Sequence, residues 1–191
     1  MVLHGVDTAY FLPAQGPRKA KFQVLSVGSW RRDFTCMEEI FRRLSQDDSI
    51  ESTCLIEPRW RERWSGIRNL RLPDRVSDEQ LLKLYQSADV LLMCAEASTA
   101  NNALVEALAC GLPVVGSDVG GIKEYVTGDG GLFFGQGDAT GAVTQIMQIR
   151  DSPELAKNLS EGARRRGKQL DWRTIAAQTI RIHESVTAGK W

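Results

Sequence analysis

The stretch Cys94–Val126, CAEASTANNALVEALACGLPVVGSDVGGIKEYV, decides how this chain folds. Asn102 opens a run of strong helix formers, Ala103 to Cys110, and Gly111 closes it, the residue type that ends helices at least steric cost. Leu112 and Pro113 lead into the apolar pair Val114-Val115, which stops at Gly116-Ser117-Asp118. A Gly120-Gly121 turn and a second helical piece, Ile122 to Val126, complete the unit. The order is loop, helix, strand, Gly-rich loop, helix. A polar loop feeding a helix leaves backbone N–H groups unpaired beside the positive end of the helix dipole, which makes a ready phosphate site. Glu106 lies one turn into that helix, within reach of whatever the phosphate carries.

The same alternation extends on both sides. Upstream, Ser77 with Gln80 forms a capping box, and Leu81, Leu82, Leu84, Tyr85 and Ala88 follow at inward-facing spacing. Asp89 to Met93 is an apolar strand of buried type. Phe22 to Val27 reads as the first strand and ends at Gly28. A loop, Ser29 to Asp33, leads to a helix with Met37, Ile40, Phe41 and Leu44 inward. Ser52 to Ile56 and Ile67 to Leu72 read as short strands, separated by the polar, Trp-containing Glu57 to Ser65. Downstream, Gly130 to Phe134 is a strand, Asp138 caps a helix, Pro153 starts another that runs to about Gln169, and Asp171 caps a last one. In that last helix Trp172, Ile175, Thr179, Ile182 and Val186 recur at helical spacing. Strands alternating with helices predict an α/β fold: a Rossmann-like parallel sheet with helices on both faces and its ligand at the carboxyl ends of the strands.

Composition narrows the function classes. Basic and acidic residues balance at 24 each among 191, so no global field draws nucleic acid or an anionic membrane. The Trp and Arg residues of Glu57 to Ser65 could stack on a single strand, but Glu57 and Glu62 dilute that charge. Cys36, Cys54, Cys94 and Cys110 form no CxxC pair and only His4 and His183 accompany them, so the spacing predicts no metal site. All four cysteines sit in apolar segments, as small core residues do, and free buried thiols suit a reducing, cytoplasmic location. No apolar run approaches the ~20 residues of a membrane span. Gly162 to Gln169 nearly spells a phosphate-binding loop, but it lacks the Ser or Thr that would hold magnesium and no strand precedes it.

The central stretch resembles the C-terminal, donor-binding domain of a family 4 glycosyltransferase of GT-B fold (glycosyl transferases group 1). Val105-Glu106-Ala107-Leu108-Ala109-Cys110-Gly111-Leu112-Pro113-Val114-Val115 and Asp118-Val119-Gly120-Gly121-Ile122-Lys123-Glu124 carry the likeness. Residues 2 to 13, VLHGVDTAYFLP, resemble that family's interdomain connector. The resemblance implies that residues 1–21 are a connector and 22–191 a nucleotide-sugar-binding domain, with the N-terminal acceptor domain absent from this chain. It implies one half of a retaining, metal-independent hexosyltransferase-like enzyme, needing no cofactor and using a nucleotide sugar as substrate. The chain alone is then expected to be inactive, and any peripheral membrane contact would be made through the other domain.

The resemblance also assigns residues. Glu106 would bind the ribose diol, and Asn102 with the N–H groups around Ala103, Leu104 and Val105 would hold the distal phosphate. Gly28 would let the diphosphate approach, and Arg31 or Arg32 would supply charge where the family has an Arg and a Lys. Arg75 and Val76 would line the base pocket. The family places a second Glu eight positions before Glu106, facing the sugar; here that position is Ser98, and the nearest carboxylate is Glu96. Two alternatives remain: a nucleotide-binding or interaction module without catalysis, and an unrelated flavodoxin-like domain.

Overall fold

The computed structural model describes residues 2–16 and 20–189, so Met1 and residues 17–19 of the expected connector lie outside it. Among the described residues six strands form one sheet: β1 (Phe22–Val27), β2 (Ile50–Leu55), β3 (Leu70–Arg71), β4 (Val90–Met93), β5 (Val114–Ser117) and β6 (Gly131–Phe134). All pairings are parallel and the order is β3-β2-β1-β4-β5-β6. The chain builds outward from β1 in one direction, then returns to start again at β4. That reversal leaves a crevice beyond the carboxyl ends of β1 and β4, where open α/β sheets bind their ligands.

Among the described residues eight helices cover the sheet: α1 (Phe34–Leu44), α2 (Pro58–Trp64), α3 (Asp78–Ser87), α4 (Asn102–Ala109), α5 (Ile122–Val126), α6 (Ala139–Asp151), α7 (Pro153–Gln169) and α8 (Trp172–Thr187). The period of two along each strand divides the core between the faces. Val90, Leu92 and Cys94 point into a cluster with Met37, Phe41, Trp64 and Ile146. Leu91, Met93 and Ala95 point into the opposite cluster with Leu104, Leu108, Ile122 and Ala163. Every residue of β4 is 0% exposed, so each apolar side chain there contributes roughly 1.5–3 kcal/mol by burial.

Local signals fix the helix ends. Ser77 and Gln80 form the reciprocal capping box, and Asp138 and Asp171 cap α6 and α8. Pro153 begins α7, which ends at Gln169. The glycines of the phosphate-loop look-alike lie inside α7 and serve packing. A Cβ on Gly167 would stand 2.6 Å from the Ala109 backbone, so only Gly lets α7 lie against the end of α4.

The structure adds one element, shifts two strand bounds and shows where the last helix faces. The segment Glu57 to Ser65 is mostly helix, because Pro58 sets its first turn and Trp64, 0% exposed, anchors it against Phe41. The second and third strands run Ile50–Leu55 and Leu70–Arg71; Ile67 is buried in the turn before the latter. The periodic face of α8 is mostly outside the core: Ile175 is buried, while Trp172, Ile182 and Val186 are exposed. Residues 2–11 pack back on the domain, where Val6 N–H donates to the Leu170 carbonyl and Trp172 N–H to that of Val6.

Candidate functional site

A cleft of about 450 Å³ opens at the carboxyl ends of β1 and β4. Val27 to Trp30 form one wall, Ala100 to Ala103 the other, with Arg32, Leu81 and Glu106 completing the lining. Of the residues expected from sequence, Gly28, Arg32, Asn102, Ala103 and Glu106 therefore meet in one place. Arg31 and Arg75 are exposed and Val76 half-buried, and all three lie outside this lining.

Arg32 is the unusual group. It is 4% exposed, and among the described residues no carboxylate pairs with it. Its guanidinium donates to the carbonyls of Val27 at 2.8 Å and Trp30 at 3.2 Å, and Nε has no partner. Burial lowers its pKa, the signature of a cation removed from water without an anion. Burying an uncompensated charge is costly, so its retention at the switch point marks a place for a negative ligand.

The second cationic feature is the N-terminus of α4. Asn101 is its N-cap but makes no side-chain capping bond. The N–H groups of Leu104 and Val105 already donate to the Asn101 carbonyl, at 3.1 and 3.2 Å. Among the described residues no acceptor meets the N–H of Asn102 or Ala103. Of the donors named from sequence, Asn102 and Ala103 are thus the ones left to offer a ligand, while Leu104 and Val105 are already engaged.

Glu106 sits one turn deeper. Its Oε2 accepts a 2.8 Å hydrogen bond from the Tyr85 hydroxyl. Burial raises the Glu106 pKa; the Tyr85 bond opposes this, Asp78 adds to it, and His4 opposes it weakly. The Tyr85 hydroxyl is itself pushed well up by burial and by the neighbouring carboxylate. Tyr85 was foreseen only as a core residue of α3; no sequence spacing could show that its hydroxyl crosses to α4. Trp30, 63% exposed at the rim of the cleft, was likewise read only as a loop residue.

Ser98 and Glu96 are not part of this lining. Ser98 is buried, and its hydroxyl donates to the Thr99 carbonyl. Its own carbonyl accepts from Gly121 N–H at 3.0 Å, and a Cβ on Gly120, whose φ is +51°, would overlap that oxygen. The Gly-Gly turn therefore seats the loop after β4. Glu96 is exposed, with its N–H on the Arg31 carbonyl and its carbonyl accepting from Gln136.

A parallel sheet in this order, with a cleft at its reversal, defines a Rossmann-like unit of the kind found in GT-B glycosyltransferases. The pattern of the glycosyl transferases group 1 family matches residues 65–166, more than half of the chain, and the chain belongs to that family. It is 36% identical over 103 residues to N-acetyl-alpha-D-glucosaminyl L-malate synthase of Bacillus anthracis, covering 51% of this chain and 27% of that protein. It is 26% identical over 198 residues to MMP alpha-(1->4)-mannosyltransferase of Mycolicibacterium hassiacum, covering 96% of this chain and 47% of that one. Among solved structures, sucrose-phosphate synthase of Thermosynechococcus elongatus superposes with a TM-score of 0.81 at 23% identity, over 97% of this chain and 52% of that chain. Anabaena HepE, in complex with UDP and glucose, superposes with a TM-score of 0.79 at 15% identity, over 96% and 56%. The chain thus spans about half or less of the length of these relatives.

Proposed function

We propose that this chain is the donor-binding half of a nucleotide-sugar-dependent glycosyltransferase, retaining and metal-independent. The observation that carries the reading is the convergence in one cleft of a buried, unpaired Arg32, two free N–H groups on α4, and Glu106. The diphosphate lies between Arg32 and the Asn102 and Ala103 N–H groups, with Gly28 beneath it. Glu106 accepts from the ribose hydroxyls. A carboxylate only accepts, so it suits a vicinal diol. The base lies towards the rim, where Trp30 offers a face for stacking.

Transfer breaks the bond between the sugar carbon and a diphosphate oxygen, and negative charge grows on the departing diphosphate. Arg32 and the helix N-terminus stabilise that charge in place, as preorganised donors do. Among the described residues Glu106 is the only carboxylate in the lining, which supports chemistry without a carboxylate-held divalent ion there. Retention of configuration and the hexosyl class rest on family membership. A GT-B enzyme holds its acceptor on the other domain, so this donor-binding half positions the donor and leaves the acceptor to that domain.

One observation favours a second reading, a binding module without catalysis. The position of the family's sugar-facing carboxylate holds Ser98, whose side chain is buried and turned onto Thr99. Calorimetric titration with a nucleoside, its monophosphate, its diphosphate and its diphosphate sugar tests the proposal. Affinity should rise at the diphosphate step and fall with salt. Absence of nucleotide binding at millimolar concentration would overturn it. Binding of the diphosphate with no further gain from the sugar would favour the second reading.

A further inference from the structure

Beside the switch point, residues 31–33 pair with residues 94–96. Arg32 and Ala95 form an antiparallel bridge, Asp33 N–H donates to the Cys94 carbonyl at 3.3 Å, and Glu96 N–H donates to the Arg31 carbonyl at 3.0 Å. This short ladder sets Asp33 next to Cys94. Asp33 is also the N-cap of α1, its Oδ1 accepting from Cys36 N–H at 2.9 Å, which brings Cys36 to the same spot. One ligand atom each from Asp33, Cys36 and Cys94 all lie within 4.8 Å of one another. Residues 36 and 94 are far apart in sequence, so spacing could not reveal the set, and the expectation of no metal site has to be reopened.

We propose that Asp33, Cys36 and Cys94 bind a zinc ion through one carboxylate oxygen and two sulfurs. Ligands of a tetrahedral zinc, at ~2.3 Å for sulfur and ~2.0–2.2 Å for oxygen, stand roughly 3.5–3.8 Å from each other. A modest contraction of the observed set reaches that geometry. Two sulfurs exclude magnesium and calcium, which take oxygen ligands. Both thiols release their protons to solvent on binding and coordinate as thiolates beside the carboxylate. Asp33 and Cys36 face a separate cleft of about 620 Å³, between α1 and the start of α6, which gives the ion an entry path and a fourth position for water. That cleft shares no lining residue with the one holding Glu106. The ion is therefore a clamp on the ladder flanking Arg32 and takes no part in transfer.

The test uses the chain stripped of metal and kept reduced with a phosphine. Zinc is titrated against a chromophoric chelator, and cobalt replaces it for spectroscopy. The proposal expects one tight zinc per chain, a rise in melting temperature, and sulfur-to-cobalt charge-transfer bands. Cys36→Ser should abolish tight uptake and those bands, while Cys54→Ser and Cys110→Ser should bind as the parent does. Asn caps helices as well as Asp does, so Asp33→Asn keeps α1 intact while weakening zinc at least tenfold. No stoichiometric uptake, or uptake unchanged in both Cys36→Ser and Asp33→Asn, would overturn the site.

Discussion

The Tyr85 hydroxyl donates to Glu106 Oε2 at 2.8 Å, tying α3 to α4 from within the core. Tyr85 is 1% exposed and meets Phe11 of the N-terminal segment edge-on at 6.1 Å. Its ring is fixed, so the carboxylate it holds is fixed too, leaving Oε1 to face a ligand. Tyr85→Phe keeps the packing and removes the bond. It should weaken a ribonucleoside diphosphate by about tenfold, the worth of a charge-assisted hydrogen bond near its lower end. A 2′,3′-dideoxy analogue should be affected little. Calorimetry on the pair reads the difference, and unchanged ribonucleotide affinity would remove Tyr85 from the site.

Glu106 should cost stability where it helps binding. Burial raises its pKa above the ordinary carboxylate value of about 4.3. The folded state then binds that proton more tightly than the unfolded state. The associated stability is fully present below the ordinary value and is lost as pH rises through the raised one. Glu106→Gln has no such loss. Its melting temperature should therefore gain on the parent's as pH rises from about 4 to neutrality. A difference that stays flat with pH would show that the carboxylate is not strained by the fold.

Arg32 and Arg31, indistinguishable as candidates by sequence, separate sharply in space. Arg32 is buried in the cleft wall and Arg31 is exposed outside it. Arg32→Lys keeps the charge but loses the fork that spans two carbonyls and a phosphate. It should lower diphosphate affinity at least tenfold and nucleoside affinity little, whereas Arg31→Ala should stay within about twofold, the range of a screened surface charge. The reverse ranking in direct titration would move the phosphate to the other side of the loop.

Gly120→Ala should unseat the loop after β4. Its φ of +51° and the overlap with the Ser98 carbonyl oppose any side chain there. The left-handed backbone alone costs a non-Gly residue roughly 1–3 kcal/mol, and the overlap adds to that. Urea unfolding should show at least this loss; a neutral result would mean the turn rearranges freely.

The fold was legible because its signals are local. Ser77 and Gln80, Asp138, Pro153 and Asp171 each mark a helix start through their own backbone, and the buried run Val90–Met93 announces a central parallel strand. Part of the candidate cleft was legible for the same reason: Gly28, Asn102, Ala103 and Glu106 are placed by the strand and helix that carry them. What sequence could not show depends on contacts between distant elements. The Tyr85–Glu106 bond joins two helices, and the burial of Arg32 follows from its bridge to Ala95. The α2 helix was missed because its seven residues, three of them Arg, give little apolar period, and its anchor is the single buried Trp64.

The central claim is that Glu106 clamps a ribose beyond a diphosphate held by Arg32 and α4. The most direct measurement is the affinity of parent and Glu106→Gln for one nucleoside diphosphate and its 2′,3′-dideoxy counterpart, in a double-mutant layout. Loss of charge-assisted bonds worth roughly 1.5–3 kcal/mol should weaken the ribonucleotide by more than tenfold. The dideoxy analogue should bind parent and variant almost equally. Equal losses for both nucleotides, in a variant that remains folded, would contradict the account.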